Sequence, residues 1–185
     1  MTRIAILFAG SAFVAALPAA AGTIVLGSNS ARLCYEAAES PMTPTAEDMD
    51  ECNAAFVRDN LNRRDTVATY VNRGILKLRT NQHGEAIADF DRALSLDPNQ
   101  PEAYLNKAVT LLRLPDGPRQ ALPLFSTAIE KRTQRPAIAY FGRGVAHELS
   151  GNIRAAYHDY RMASRLDPKW SEPRTELARF KVRQP

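Results

Sequence analysis

Three times along this chain the same order of residue types returns: a tyrosine, a small residue one helical turn later, then an alanine, an aromatic and another alanine. The first set is Tyr70, Gly74, Ala86, Phe90 and Ala93, and the second is Tyr104, Ala108, Ala121, Phe125 and Ala128. The third is Tyr140, Gly144, Ala156, Tyr160 and Ala163. Within each set the last three residues are spaced as neighbours on one face of a helix. The first and third sets close on the same tripeptide, Leu96-Asp97-Pro98 and Leu166-Asp167-Pro168. A pattern that returns at a fixed period calls for stacked copies of one supersecondary unit.

These residues resemble the tetratricopeptide repeat, a helix–turn–helix unit of about 34 residues. The resemblance implies an all-α solenoid of three helix pairs over 67–100, 101–135 and 136–170. In each pair helix A is amphipathic and helix B carries the alanine–aromatic–alanine row. Gly74, Ala108 and Gly144 on helix A are expected to face Ala86, Ala121 and Ala156 on helix B, so that the two backbones approach closely. Phe90, Phe125 and Tyr160 then fill the space beside those contacts, and Ala93, Ala128 and Ala163 receive the next helix A. Repeat two is longer at its turns, around Leu114-Pro115-Asp116-Gly117-Pro118 and over 131–135, where the Asp-Pro ending is missing. Pro123 is tolerable there only near the first turn of a helix B.

The flanks read differently. Residues 1–21 have the layout of a secretory leader: Arg3, an apolar stretch from Ile4 to Leu17, and Ala19-Ala20-Ala21 as a small-residue cleavage pattern. An uncleaved membrane anchor is the rival, since the apolar run falls only slightly short of a spanning helix. With the leader removed, no stable membrane insertion is expected, and the site is the periplasm of a bacterium or the extracellular space. Residues 22–30 read as a loose mature terminus with an apolar group, Ile24-Val25-Leu26. Over 31–66 a degenerate repeat is expected to cap the array, with Leu33, Ala37 and Ala38 buried, a break at Pro41 and Pro44, and Thr45 capping a second helix. Cys34 and Cys52 are the only cysteines. In an oxidising compartment they form a disulfide between the two cap helices; the other reading is a pair of buried free thiols. Residues 171–185 read as a C-terminal capping helix, helical over 171–182, with Leu177 and Ala178 packed and its other side polar.

Catalytic signatures are missing. The chain has no G-x-S-x-G, no phosphate-cradling glycine loop and no H-E-x-x-H. His147 and His158 could meet across a turn; a two-histidine metal site is one reading and a packed or solvated pair the favoured one, so no metal or cofactor is expected. The net charge of +4 falls by one with Arg3 removed, and the charges are interspersed. That excludes nucleic acid as the natural partner.

Family resemblance therefore directs attention to the concave face formed by helices A. Carried over position by position, repeat one offers Ala68, Val71, Asn72, Ile75 and Arg79, and repeat two offers Glu102, Leu105, Asn106, Val109 and Arg113. Repeat three offers Ile138, Phe141, Gly142 and Val145. Asn72 and Asn106 stand where the family often holds a peptide backbone, and an amide that donates and accepts at once suits an extended chain. Gly142 ends that ladder. The expected partner is an apolar or amphipathic protein segment, with Val71, Leu105 and Val145 open to an alternative reading as packing residues. Arg73, Lys107 and Arg143 recur in register as a solvated or salt-bridged stripe. The resemblance thus implies a non-enzymatic scaffold for protein–protein interaction. A self-assembling homodimer through the terminal helix, at Leu177 and Phe180, is the alternative.

Overall fold

The computed structural model describes residues 4–6, 22–25 and 29–182. Among them lie nine helices: α1 (Asn29–Glu39), α2 (Ala46–Arg58), α3 (Arg63–Arg79), α4 (His83–Leu96), α5 (Pro101–Leu111), α6 (Gly117–Glu130), α7 (Pro136–Leu149), α8 (Ile153–Leu166) and α9 (Glu172–Ala178). They stack as antiparallel pairs α1/α2, α3/α4, α5/α6 and α7/α8, with each helix B also packed on the helix A that follows it. The helices α1, α3, α5 and α7 meet one another in series, which makes them one layer of an all-α solenoid. A short antiparallel ladder joins β1 (Ile4–Ile6) to β2 (Phe180–Val182).

Local chemistry sets the ends of these helices. Thr45 and Asp48 close a capping box at the start of α2: the Thr45 hydroxyl accepts from the Asp48 N–H, and the Asp48 carboxylate accepts from the Thr45 N–H at 2.7 Å. Asn62 caps α3 by accepting from the Asp65 N–H at 2.9 Å. Pro101 and Pro136 open α5 and α7, where a missing donor costs nothing. Three helices end on a left-handed residue: Asn81 at φ 61°, Arg132 at φ 61° and Gly151 at φ 81°. After each, the next N–H reaches back to the preceding turn, as in Gln82 to the Lys77 carbonyl at 2.8 Å.

The core repeats with the sequence. Phe90 and Phe125 are fully buried and Tyr160 nearly so, each within its alanine row. The aromatic lies directly over the small residue of helix A. A Cβ added at Gly74 would come within 2.5 Å of the Phe90 ring, and one at Gly144 within 2.8 Å of the Tyr160 ring. In repeat two the facing residue is Ala108, and there the Phe125 ring presses instead on Gly142 of the next helix A, where a Cβ would meet it at 2.4 Å.

The recurring basic stripe is a set of ion pairs. Arg73 forks onto Asp89 at 2.9 and 2.7 Å, and Arg143 onto Asp159 at 2.8 and 2.9 Å, each tying helix A to helix B within its repeat. Hydrogen bonding to Asp159 outweighs burial and raises the Arg143 pKa. Repeat two has Leu124 at the matching position, so Lys107 turns back to Asp91 of the preceding repeat.

Cys34 and Cys52 are joined by a disulfide across α1 and α2, and both are fully buried. Leu33, expected in the cap's core, is 40% exposed, because Cys34 takes the inward position beside it. Helix A of the first clear repeat starts at Arg63, one turn earlier than the repeat boundary at 67, because Asn62 rather than a later residue supplies the cap. Pro123 lies within α6 rather than in its first turn, because that helix already starts at Gly117. The terminal helix, expected over 171–182, stops at Ala178; the alternating Phe180-Lys181-Val182 pairs with Ile4–Ile6 as strand instead. Most of the leader expectation over 1–21 falls outside the described residues. No helix among those described is long and apolar enough to cross a membrane.

The missing Asp-Pro ending of repeat two has a substitute. The buried Glu102 carboxylate at the start of α5 accepts from the Thr133 hydroxyl at 2.9 Å and the Gln134 N–H at 2.7 Å, holding the connection from α6 to α7. Burial pushes its pKa up, against those two hydrogen bonds.

Three outcomes follow from this packing. Gly74→Ala should cost about 1–3 kcal/mol by overpacking against Phe90, whereas Gly84→Ala, with open space around it, should stabilise α4 by up to about 1 kcal/mol; urea melts of both variants check this. Reducing the Cys34–Cys52 bridge, which closes a loop with a sequence separation of 18, should cost about 3 kcal/mol, read as a lower melting temperature with reductant. Glu102 has a folded pKa above its unfolded one, so its contribution is full below about pH 4.3 and is lost as pH rises through the raised value. Glu102→Gln removes that loss, and the melting temperature of the variant relative to wild type should climb as pH rises above about 4.3.

Candidate functional site

The inner face of helices A was to be the binding surface, and the structure puts its candidate residues in two groups. Val71, Asn72, Ile75, Leu105, Asn106, Val109 and Phe141 are buried, as are Ala68, Glu102 and Gly142. Arg79, Arg113, Ile138 and Val145 keep partial exposure. Helix spacing explains how the residues come together: positions one turn apart on α3, α5 and α7 share a face, and the serial contact of these helices aligns the rows.

Asn72 is already engaged. Its side-chain oxygen accepts from the Thr23 N–H at 2.7 Å and its NH2 donates to the Thr23 carbonyl at 2.9 Å. One amide thus clasps both backbone polar groups of a single residue. Gly22–Val25 is the segment held, and it has no regular secondary structure. Val25 is buried in a small apolar cluster with Ala31, Ala55 and Ala68, against Tyr35 and Leu61. The Gly22 N–H donates to Glu39 at the end of α1. The second Glu39 oxygen pairs with Arg135 at 3.3 Å, so this carboxylate joins the cap to the connection between α6 and α7.

Asn106 differs. Its NH2 donates to the Glu102 carbonyl of its own helix at 2.9 Å. Asn72 and Asn106 hold the same register on α3 and α5, and Asn72 reaches across to Thr23. At the third rung the Phe125 ring fills the space beside Gly142. Phe141 packs on Trp170 and Tyr160, with ring centroids at 4.8 and 5.3 Å.

The two arginines named as groove edges have separate fates. Arg79 donates to the Ala37 carbonyl at 3.2 Å and to that of Met42, so it caps the end of α1. Burial lowers its pKa, with Asp48 opposing that shift. Arg113 is half-buried, and burial lowers its pKa too. His147 does not seek His158: its Nε2 lies 4.0 Å from Asp159, while His158 sits edge-on to Tyr157. Burial lowers the His147 pKa, Asp159 raises it and Arg143 lowers it. Among the described residues no group of three or more His, Cys, Asp or Glu is placed to hold a metal.

Two open clefts lie at the edge where helices A start and helices B end, the first reaching Ile138 of the inner-face row. One, of about 610 Å³, is lined by residues from Gln134 to Ile138 and by Leu166, Asp167, Lys169 and Trp170. The other, of about 440 Å³, is lined by Arg63, Arg64, Val67, Leu96, Asp97 and Gln100, the matching positions of repeat one. Sequence reasoning passed over Glu39, Tyr35 and Trp170. Trp170 is the chain's single tryptophan, two residues past the Asp-Pro ending, and that was the one available signal; Glu39 and Tyr35 carried none.

Comparisons with known proteins agree on the architecture. A TPR repeat model matches residues 67–114, and a tetratricopeptide repeat model matches residues 116–169. No curated protein matches the sequence. Among solved structures, the chain is similar to "MamA RS-1 ArsTM double mutant", with a TM-score of 0.61 and 21% identity over 81% of this chain and 82% of that one. It is also similar to a crystal structure of MamA, with a TM-score of 0.60 and 19% identity over 70% of this chain and 72% of that one. Those likenesses speak for the fold. The two repeat models together span more than half of the chain, and with the stacked helix pairs they place it in the tetratricopeptide repeat family.

Proposed function

We propose that this protein is an exported, non-enzymatic scaffold that binds a protein partner through the inner face of its A helices. One observation carries the reading: the Asn72 amide clasps the N–H and C=O of Thr23, a residue far away in sequence. Asn72 thus holds the backbone of a distant segment in this chain already, through the donor and acceptor of one amide. A partner segment of the same form, with apolar side chains beside one small residue, would use the same contacts once Gly22–Val25 gives way. Val145 and Ile138, partly exposed on α7, would extend the contact toward the third repeat.

The buried disulfide suits a non-reducing compartment, which supports export of the chain, to the periplasm in a bacterium or to the exterior. No observation favours self-assembly through the terminal helix: Leu177 and Phe180 are half-buried, packed against the core, and the Phe180 ring lies 5.6 Å from that of Tyr157.

The test is peptide binding by a chain shortened to begin at Asn29, which removes the segment on Asn72. An array of extended apolar peptides should contain binders to this form and fewer to the full chain. Asn72→Ala should weaken those binders about tenfold, the worth of a net hydrogen bond or two at roughly 1.4 kcal/mol. If no peptide in the array binds the shortened, folded protein, the inner face is not a binding groove.

A further inference from the structure

The contacts around Gly22 form a site of their own. Glu39 accepts from the Gly22 nitrogen. A side chain on residue 22 would meet Asn72 and Glu39 oxygens at 3.1 Å and the Tyr35 ring at 3.3 Å, so the glycine fits closely and a larger residue would press these side chains outward. Asn72 then holds the next residue by both its polar groups, and Val25 is buried two positions further on. A carboxylate at the first nitrogen, a close fit at the first Cα and a backbone clasp at the second residue are what recognition of a chain terminus requires. The small-residue pattern Ala19-Ala20-Ala21 ends at the residue before this site.

We propose that the hollow between α1 and α3 is a seat for a free amino terminus, and that its occupant is this chain's own Gly22 after scission of the Ala21–Gly22 bond. Hydrolysis of that bond consumes one water and leaves a carboxylate on Ala21 of the departing leader and an ammonium on Gly22. The Gly22 nitrogen, already directed at Glu39, then gains a positive charge facing a carboxylate, and the hydrogen bond becomes an ion pair. The groups around it are Glu39 and Tyr35 from α1, Asn72 from α3, and Arg135, whose guanidinium occupies the other Glu39 oxygen. Arg135 keeps that carboxylate near the seat and links it to the connection between α6 and α7. Removal of the leader would therefore fasten the new terminus across the cap, and it would also take β1 away from β2. The inference rests on the export reading above; a terminus fastened here occupies Asn72 and so competes with a partner segment for that amide.

The experiment uses the full chain with residues 16–21 replaced by a site-specific protease sequence that cuts before Gly22. Thermal melting is followed before and after the cut, with and without Glu39→Gln. Labelling of the Gly22 amine by a succinimidyl ester near pH 7 is followed after the cut. An opposite charge shifts such a group by one pKa unit or more, so the amine of the cut protein should label about tenfold more slowly than that of its Glu39→Gln variant. Glu39→Gln should lower the melting temperature more in the cut protein than in the uncut one. Equal labelling rates, or equal thermal losses before and after the cut, overturn the seat. The intact mass of the chain exported with its native leader separates the two readings: a first residue other than Gly22 overturns the occupant, while peptide binding at the inner face stays untouched by that result.

Discussion

Everything in this solenoid depends on an aromatic ring lying where a side chain has been left out. The Phe90 and Tyr160 rings rest on Gly74 and Gly144 at distances that leave no room for a Cβ, and the Phe125 ring rests on Gly142. Close-packed interiors tolerate neither a void nor a clash at such a point. In repeats one and three this fixes the two helices of a pair, and in repeat two it fixes α6 against the next helix A; the alanines on either side of the ring let that helix settle onto the same surface. Repetition of one contact produces the whole array, because each unit buries its apolar face only against its neighbours.

The three repeats are alike in apolar packing and unlike in charge. Repeats one and three carry a forked Arg–Asp pair between their helices, and repeat two, with Leu124 in place of the acid, sends Lys107 to the previous unit. Repeat two also loses its Asp-Pro ending and spends a buried carboxylate, Glu102, on the connection that follows. Burying a charge is costly unless its hydrogen bonds are met, and two donors meet them here. The inner face is polar where it has backbone to hold: at Thr23 through Asn72, and at Gln134 through Glu102.

Much of the candidate site was legible, but its state was not. Asn72 could be singled out because a register counted from Tyr70 and Gly74 places it on the inner face, and the clasp it makes is the one an amide suits. Nothing in the sequence around Thr23 announces that it is the residue clasped, since the two lie 49 positions apart and the contact depends on how the cap folds back. Arg79 was assigned to a groove edge by its position on helix A; it turns instead to the carbonyls that α1 leaves open at its end, a demand visible only once α1 lies across α3. Leu33 and Cys34 were both plausible inward residues of α1, and the disulfide partner on α2 decided between them.

By itself the sequence determined the helical pairs, their number in the repeat array and the residues at their crossings. Those follow from periodic apolar spacing and from glycine and alanine, whose small size acts locally and identically in every copy. The tertiary structure alone decided what covers the inner face, where each arginine finds its acid, and that the chain's last described residues form strand rather than helix. Such outcomes depend on segments distant in sequence competing for the same open backbone and charged groups, and that competition leaves no periodic trace in the order of residues.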